Sequence, residues 1–204
     1  MRILKPTVAA IKEAARTISQ GGLVVYPTDT VYGLGCNPFN EDAVKRIFKV
    51  KGRGTKPLPV LASDLKAVEK IARVTDTAFI LAEKFWPGPL TLVLPKRPSL
   101  PSIVSCDMSS VAVRVPNHKI ALELIRMSGG LLIGTSANKT GKKPPRTGKE
   151  AAKKIGDEVD LVIDNGPAPI GASSTVVDLT QEKLEILREG PIKLKDILDA
   201  QKVS

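Results

Sequence analysis

The stretch that decides the fold class is Leu23-Val24-Val25-Tyr26-Pro27-Thr28-Asp29-Thr30-Val31-Tyr32-Gly33-Leu34-Gly35. Its first four residues are apolar and predict a short buried strand over 23–26. The nine residues that follow, 27–35, are rich in hydroxyl groups and glycine, and they predict a loop at the carboxyl end of that strand. Such loops commonly line ligand sites in α/β sheets. We therefore expect an α/β domain with a site at this edge of the sheet.

Helices are predicted on both sides of this stretch. Residues 7–20 carry apolar side chains at helical spacing, and Gly21-Gly22 supplies a glycine stop. Asn40 is placed to cap a second helix, from Glu41 to about Val50, which leads into Lys51-Gly52-Arg53. A basic tripeptide therefore follows directly on a helix end.

Strands and helices alternate irregularly along the rest of the chain. Helices are predicted after Ser63 and Thr75 as caps, over 117–127 and 148–155, and at the end of the chain, whereas 95–110 is predicted to be irregular. Because the last two strands are consecutive, we expect a mixed sheet flanked by helices, not a regular doubly wound parallel one. The predicted strands are 58–62, 90–94, 111–115, 131–134, 161–163, 174–179 and 184–188.

Composition indicates one domain over 1–204, with its core at about 7–191, because 42% of the residues are hydrophobic and no linker is evident. The net charge of +10 favours phosphate or nucleic-acid ligands, although a lysine-rich solvated face produces the same charge. Only 3% of the residues are aromatic, which disfavours a surface that stacks the bases of single-stranded RNA.

The cysteine and histidine content disfavours a structural metal. Cys36, Cys106 and His118 are too few for a four-ligand zinc site. No signal peptide is recognisable, and the apolar runs have the length of strands, so a cytoplasmic protein that does not enter the membrane is expected.

The common nucleotide-binding loops do not fit. Gly141-Lys142-Lys143 lacks the first glycine and the final hydroxyl of a P-loop. Neither Gly33-Leu34-Gly35 nor Gly52-Arg53-Gly54 continues to the third glycine of a dinucleotide fingerprint. His118 opens a predicted helix and is interpreted as a capping or surface residue, with no catalytic role.

Cationic, hydroxyl and amide side chains at predicted loops and strand ends remain as site candidates. Guanidinium groups suit phosphate and carboxylate because they donate two parallel hydrogen bonds. Arg114 stands out, since it lies in an apolar strand where an unpaired charge is costly. The candidates are Lys51, Arg53, Lys56, Arg114, Arg146, Arg188, Thr30, Ser110, Ser136, Asn138 and Ser174.

From about Ala15 to Pro191 the chain resembles the YrdC-like threonylcarbamoyl-AMP synthases. Seven strings in the family's order carry the resemblance, whereas the segment 54–62 departs from the family's pattern. The strings are Tyr26-Pro27-Thr28-Asp29-Thr30-Val31-Tyr32-Gly33-Leu34, Lys51-x-Arg53, Trp86-Pro87-Gly88-Pro89-Leu90-Thr91, Val111-Ala112-Val113-Arg114-Val115-Pro116, Ser136-Ala137-Asn138, Ser174-Thr175-Val176-Val177-Asp178 and Leu187-Arg188-Glu189-Gly190.

The resemblance implies a twisted mixed sheet with a large basic concave face. It implies that L-threonine, bicarbonate and ATP react to give threonylcarbamoyl-AMP and pyrophosphate, with Mg²⁺ held mostly by phosphates and water. A separate transferase would then pass the threonylcarbamoyl group to the adenosine beside the anticodon of tRNA. Such a reaction needs positioning and charge neutralisation more than a protein nucleophile.

Roles for the candidates follow from the same resemblance. Lys51 and Arg53 belong to the Lys-x-Arg signature and are the catalytic candidates, and Arg114 is expected to pair with the substrate carboxylate. The expected ATP-binding residues are Arg53, Lys56, Ser110, Asn138, Arg146 and Arg188. The expected threonine- or carbamoyl-binding residues are Thr30, Arg114, Ser136 and Ser174.

Two alternatives stay open. A non-catalytic module could bind tRNA or double-stranded RNA through the same basic surface, and would show a steep salt dependence without chemistry. A related carbamoyl-transfer domain also occurs inside a larger hydrogenase-maturation protein, whose additional domains have no counterpart in these 204 residues.

Overall fold

The structure is a computed structural model that describes residues 1–52, 54 and 56–202. The strands form two hydrogen-bonded sheets, and each sheet contains both parallel and antiparallel pairs. The predicted mixed α/β architecture with flanking helices is confirmed. The strands, however, are divided between two sheets and do not form one.

The first sheet has five strands, and its order is β1 (Arg2–Leu4), β9 (Leu161–Ile163), β2 (Val24–Tyr26), β3 (Gly33–Gly35) and β8 (Thr135–Ser136). Strand β1 pairs in parallel with β9 and begins before the predicted core. Its three residues are too few to show a periodic pattern, and two of them are exposed, so no pattern in the sequence indicated this strand.

The second sheet has six strands. Its order is β11 (Glu185–Arg188), β10 (Thr175–Asp178), β5 (Leu90–Pro95), β6 (Ser110–Arg114), β4 (Val60–Ala62) and β7 (Leu131–Ile133). All eight predicted strands therefore exist in the two sheets, with ends shifted by up to two residues. The stretch 135–136, directly after the predicted strand 131–134, forms β8 of the first sheet.

Hydroxyl, amide and carboxylate caps fix several helix starts. Thr7, Asn40 and Thr75 accept hydrogen bonds from backbone N–H groups of the first turn, and the caps at Asn40 and Thr75 were predicted. The prediction that Ser63 caps the next helix is wrong: Asp64 accepts from Ala67 N at 2.8 Å. The helices are α1 (Val8–Ser19), α2 (Glu41–Lys51), α3 (Leu65–Glu69), α4 (Asp76–Phe85), α5 (Ser102–Ser105), α6 (Lys119–Met127), α7 (Gly148–Ile155) and α8 (Leu194–Lys202), with a 3-10 turn at Gly156–Glu158.

The predicted loop 27–35 ends earlier than expected, because Gly33–Gly35 forms β3 and pairs antiparallel with β2. Close approach explains the glycines: a Cβ at Gly35 would lie 2.5 Å from the Ile133 carbonyl oxygen and 2.8 Å from the Tyr26 ring. The predicted irregular segment 95–110 also differs, since it contains α5.

The two sheets are joined beside β3 and β7. Ile133 N donates to the Cys36 carbonyl oxygen at 3.0 Å, and the buried Tyr26 hydroxyl donates to the Ile133 carbonyl oxygen at 3.0 Å. Two clusters of buried apolar residues form the core, and the junction draws on both, since Cys36 and Ile133 belong to one and Tyr26 to the other. Among the described residues, no helix is long and apolar enough to cross a bilayer.

Candidate functional site

A cavity of about 240 Å³ is lined by residues of both sheets. The loop between β2 and β3 and the strand β8 form one wall, and β4, β5, β6, β10 and β11 contribute to the other. The volume lies below the roughly 300–1,000 Å³ of pockets for drug-sized ligands, so it suits a molecule the size of an amino acid. The predicted site residues that line it are Thr30, Arg114, Ser136, Ser174 and Arg188.

Arg114 is the buried cation of this cavity, with 5% of its surface exposed. Its Nε donates to the Gly88 carbonyl oxygen at 3.0 Å, its Nη1 donates to Thr30 Oγ1 at 2.9 Å, and its Nη2 donates to Asp29 Oδ1. Burial lowers the pKa of Arg114, and the neighbouring Asp29 raises it. The expectation that this arginine needs a partner is met by Asp29, which was not among the candidates although it stands next to Thr30.

Hydrogen bonds to neighbouring residues determine which lone pair of Thr30 Oγ1 remains available to a ligand. Thr28 Oγ1 donates its proton to the Val31 carbonyl oxygen at 2.6 Å and accepts from the backbone N–H groups of Thr30 and Val31 at 3.2 and 3.3 Å, so it is not the donor in its 3.0 Å contact with Thr30 Oγ1. Thr30 Oγ1 accepts from Arg114 Nη1 at 2.9 Å. One lone pair remains on Thr30 Oγ1, and it can accept a hydrogen bond from a ligand's amine.

Ser174 also lines the cavity and is held by hydrogen bonds to two neighbours, Arg188 and Thr91. Arg188 donates through Nε to the Ser174 carbonyl oxygen at 2.9 Å and through Nη2 to Ser174 Oγ at 3.0 Å. The buried Thr91 Oγ1 lies 2.8 Å from Ser174 Oγ. If Thr91 is the donor of that pair, both lone pairs of Ser174 Oγ are engaged and its proton is directed to a ligand. Thr91 is a second residue that the sequence reasoning missed, although it ends one of the quoted strings.

Lys51 is buried at the end of α2, with 2% of its surface exposed. Its Nζ donates to the carbonyl oxygens of Ser136 at 2.6 Å and Asn138 at 2.9 Å, so it supports the segment that follows β7. The amide of Asn138 is engaged as well, because its Nδ2 donates to the carbonyl oxygens of Lys139 and Lys142 at 2.8 and 2.6 Å. Neither Lys51 nor Asn138 lines the cavity.

Three of the other ATP candidates, Ser110, Lys56 and Arg146, do not line the cavity. Ser110 begins β6, and four residue steps along an extended strand place it about 13 Å from Arg114. Lys56 and Arg146 are exposed. The Arg146 guanidinium packs over Gly171, where a Cβ would lie 2.5 Å from Nε. Arg53 lies outside the described residues, and its role stays a prediction, as do those of the other candidates.

His118 and the cysteines play no evident part in the cavity. His118 occupies the cap position of α6, but its side chain makes no capping hydrogen bond, and burial lowers its pKa. Burial raises the pKa of the Cys36 thiol to about 12. Within the described part of the chain, no cluster of three or more His, Cys, Asp or Glu side chains could hold a metal ion.

The family model described as Telomere recombination, for Sua5, YciO and YrdC, matches residues 16–190. The chain belongs to the Sua5/YciO/YrdC family. This agrees with the resemblance drawn from the seven sequence strings.

Relatives within this family share most of the chain. It is 43% identical to the threonylcarbamoyl-AMP synthase of Pyrococcus abyssi over 189 residues, which are 92% of this chain and 56% of that protein. It is 38% identical to the threonylcarbamoyl-AMP synthase of Bacillus subtilis over 190 residues, covering 92% of this chain and 55% of that protein. The chain thus spans about half the length of these two curated relatives.

A solved member of the Sua5/YciO/YrdC family has the same fold. The crystal structure of P. abyssi Sua5 complexed with L-threonine superposes with a TM-score of 0.90 at 42% identity. The match covers 93% of this chain and 56% of that one.

Proposed function

We propose that this chain synthesises threonylcarbamoyl-AMP from L-threonine, bicarbonate and ATP, with release of pyrophosphate. The observation that carries the proposal is the buried Arg114, which opens onto a small cavity together with the hydroxyl groups of Thr30, Ser136 and Ser174. A cation and hydroxyl groups in so small a space suit a hydroxylated α-amino acid. The names of the relatives and the threonine complex of P. abyssi Sua5 support the same substrate.

The cavity offers a partner for each group of threonine. Each terminal nitrogen of Arg114 carries a second N–H, and together these can bind a carboxylate. The remaining lone pair of Thr30 Oγ1 can accept from the amine. Leu61 and Val176 add apolar surface for the methyl group.

The chemistry then needs positioning and charge neutralisation. The threonine nitrogen, as a free amine, attacks the carbon of bicarbonate, the N–C bond forms, and water leaves to give a carbamate. A carbamate oxygen attacks the α-phosphorus of ATP, and the bond to pyrophosphate breaks. Arg188 stands at the cavity next to Ser174, where its guanidinium can neutralise charge on the phosphates.

The nucleotide must extend beyond a cavity of about 240 Å³. We propose that it extends outward from Arg188, the predicted ATP residue that lines the cavity, with Mg²⁺ entering as the Mg–ATP substrate and held by phosphates and water. The reaction would run in the cytoplasm, and its product is a mixed anhydride that a separate transferase would consume in tRNA modification.

The test is incubation of the protein with Mg–ATP, bicarbonate and labelled L-threonine. We expect pyrophosphate release that requires both threonine and bicarbonate, together with a labelled adenylate. Pyrophosphate release that does not depend on threonine would contradict the proposal, as would the absence of pyrophosphate release from a folded sample. Retention of RNA that falls steeply with salt, in the absence of this chemistry, would favour the RNA-binding alternative.

Substitution of Thr91 tests the orientation of Ser174. Thr91→Val keeps the shape and removes the hydroxyl that lies 2.8 Å from Ser174 Oγ. We expect the KM for threonine to rise roughly 2- to 10-fold, the range of one hydrogen bond, with the KM for ATP unchanged. Thr91→Ser, which keeps the hydroxyl, is the matched control. Equal KM values in the two variants would show that Thr91 does not act through Ser174.

A further inference from the structure

The partner of Arg114 lies behind the cavity wall. Asp29 and Arg114 each expose only 6% of their side chains, and the pair joins the loop after β2 to strand β6 in the other sheet. Arg114 lines the cavity, whereas Asp29 does not. A ligand in the cavity can therefore touch the guanidinium without touching the carboxylate.

Three anchors from two segments of the chain, the loop after β2 and the turn at Gly88, hold the Arg114 guanidinium. They are the Gly88 carbonyl oxygen, Thr30 Oγ1 and Asp29 Oδ1, and only the last carries a full charge. These bonds use three of the five N–H groups and leave one on each terminal nitrogen. Because an arginine side chain has many rotamers, holding it in place before the ligand arrives lowers the entropy lost on binding.

Asp29 is itself held by its backbone, and its carboxylate serves Arg114. Its carbonyl oxygen accepts from Ile170 N at 2.9 Å, and the Thr28 turn fixes the residues beside it. Among the described residues, Arg114 is the hydrogen-bond donor to Oδ1, and Oδ2 has no partner. A substitution that alters only this carboxylate should therefore affect the position of the Arg114 guanidinium before anything else.

We propose that Asp29 is a positioning residue, which orients the Arg114 guanidinium so that its two remaining terminal N–H groups receive the carboxylate of the amino-acid substrate. The inference rests on the proposed function. It predicts that the affinity for threonine depends on the charge of the Asp29 carboxylate, which the substrate does not contact. The affinity for ATP should not depend on that charge.

Equilibrium binding of labelled L-threonine in the absence of ATP provides the test. Asp29→Asn keeps the size of the side chain and an acceptor oxygen but removes the charge. We expect threonine affinity to fall at least tenfold and ATP affinity to change less than twofold. The matched control is Asp42→Asn, which removes the carboxylate of the exposed ion pair with Lys45 and should leave both affinities unchanged.

A double-mutant cycle with Arg114→Gln separates positioning from a general structural effect. If Asp29 acts through Arg114, Asp29→Asn should change threonine affinity less than twofold in the Arg114→Gln background. An equal loss in both backgrounds would overturn the inference, as would equal loss of threonine and ATP binding. Should Asp29→Asn fail to fold, Asp29→Glu keeps the counter-charge and displaces it by one methylene. That variant should still weaken the binding of threonine more than the binding of ATP, and an unchanged affinity for threonine would contradict the inference.

The two proposals fail in different ways. A wild-type protein that binds no L-threonine would overturn both. A wild-type protein that binds threonine, together with an Asp29→Asn variant that binds it equally well, would overturn the role of Asp29 and leave the proposed function intact.

Discussion

Arg114→Met is expected to abolish threonine-dependent pyrophosphate release and to destabilise the fold at the same time. The substitution removes the proposed carboxylate receptor and leaves Asp29 buried without its counter-charge. Breaking a buried ion pair from one side costs about 3–5 kcal/mol, which is a large part of the roughly 5–15 kcal/mol that stabilises a folded domain. We expect a lower midpoint in urea, measured by circular dichroism, and no measurable turnover.

A double variant distinguishes the two effects. In Arg114→Met with Asp29→Asn both charges are gone, so most of the lost stability should return while activity stays absent. The matched control is Arg2→Met, since Arg2 pairs with Glu13 at the surface and such pairs contribute about 0–1 kcal/mol. Activity in the stabilised double variant would show that Arg114 is not the carboxylate receptor.

Features decided by neighbouring residues could be predicted from the sequence. Asn40 and Thr75 each precede an apolar stripe with helical period, and both cap as expected. The choice between Ser63 and Asp64 could not be made, because both residue types cap well and the path of the chain out of β4 decides which one does. The local pattern therefore predicts that a helix starts here, whereas the tertiary structure determines which residue caps it.

Features that depend on residues distant in the sequence could not be predicted from the sequence alone. Gly33–Gly35 reads as a loop because two of its three residues are glycine, and it becomes a strand only through its pairing with β2 and β8. The need of Arg114 for a partner followed from its apolar surroundings, but the identity of Asp29 did not, since 85 residues separate the two. The burial of Lys51 was also unexpected, because a lysine at a helix end is usually solvated.

Lys51→Met is expected to lower kcat/KM for ATP about 100-fold with the fold retained. Its ammonium group holds the carbonyl oxygens of Ser136 and Asn138 at 2.6 and 2.9 Å, and hydrogen bonds to a charged group contribute about 1.5–3 kcal/mol. Without them the segment 136–138 can shift, and a displacement of about 1 Å at a site that acts by positioning costs about 100-fold in rate. The measurement is threonine-dependent pyrophosphate release over a range of ATP concentrations, beside a thermal melt.

A substitution at the neighbouring Lys49 is the matched control for this prediction. Lys49 lies on the same helix but is exposed, so Lys49→Met changes the net charge equally without touching the segment 136–138. Equal losses of activity in the two variants would mean that Lys51 acts only through the overall positive field, whose effect falls with salt. A loss confined to Lys51→Met and unaffected by salt would instead mean that a buried ammonium group sets the geometry in which the nucleotide is bound.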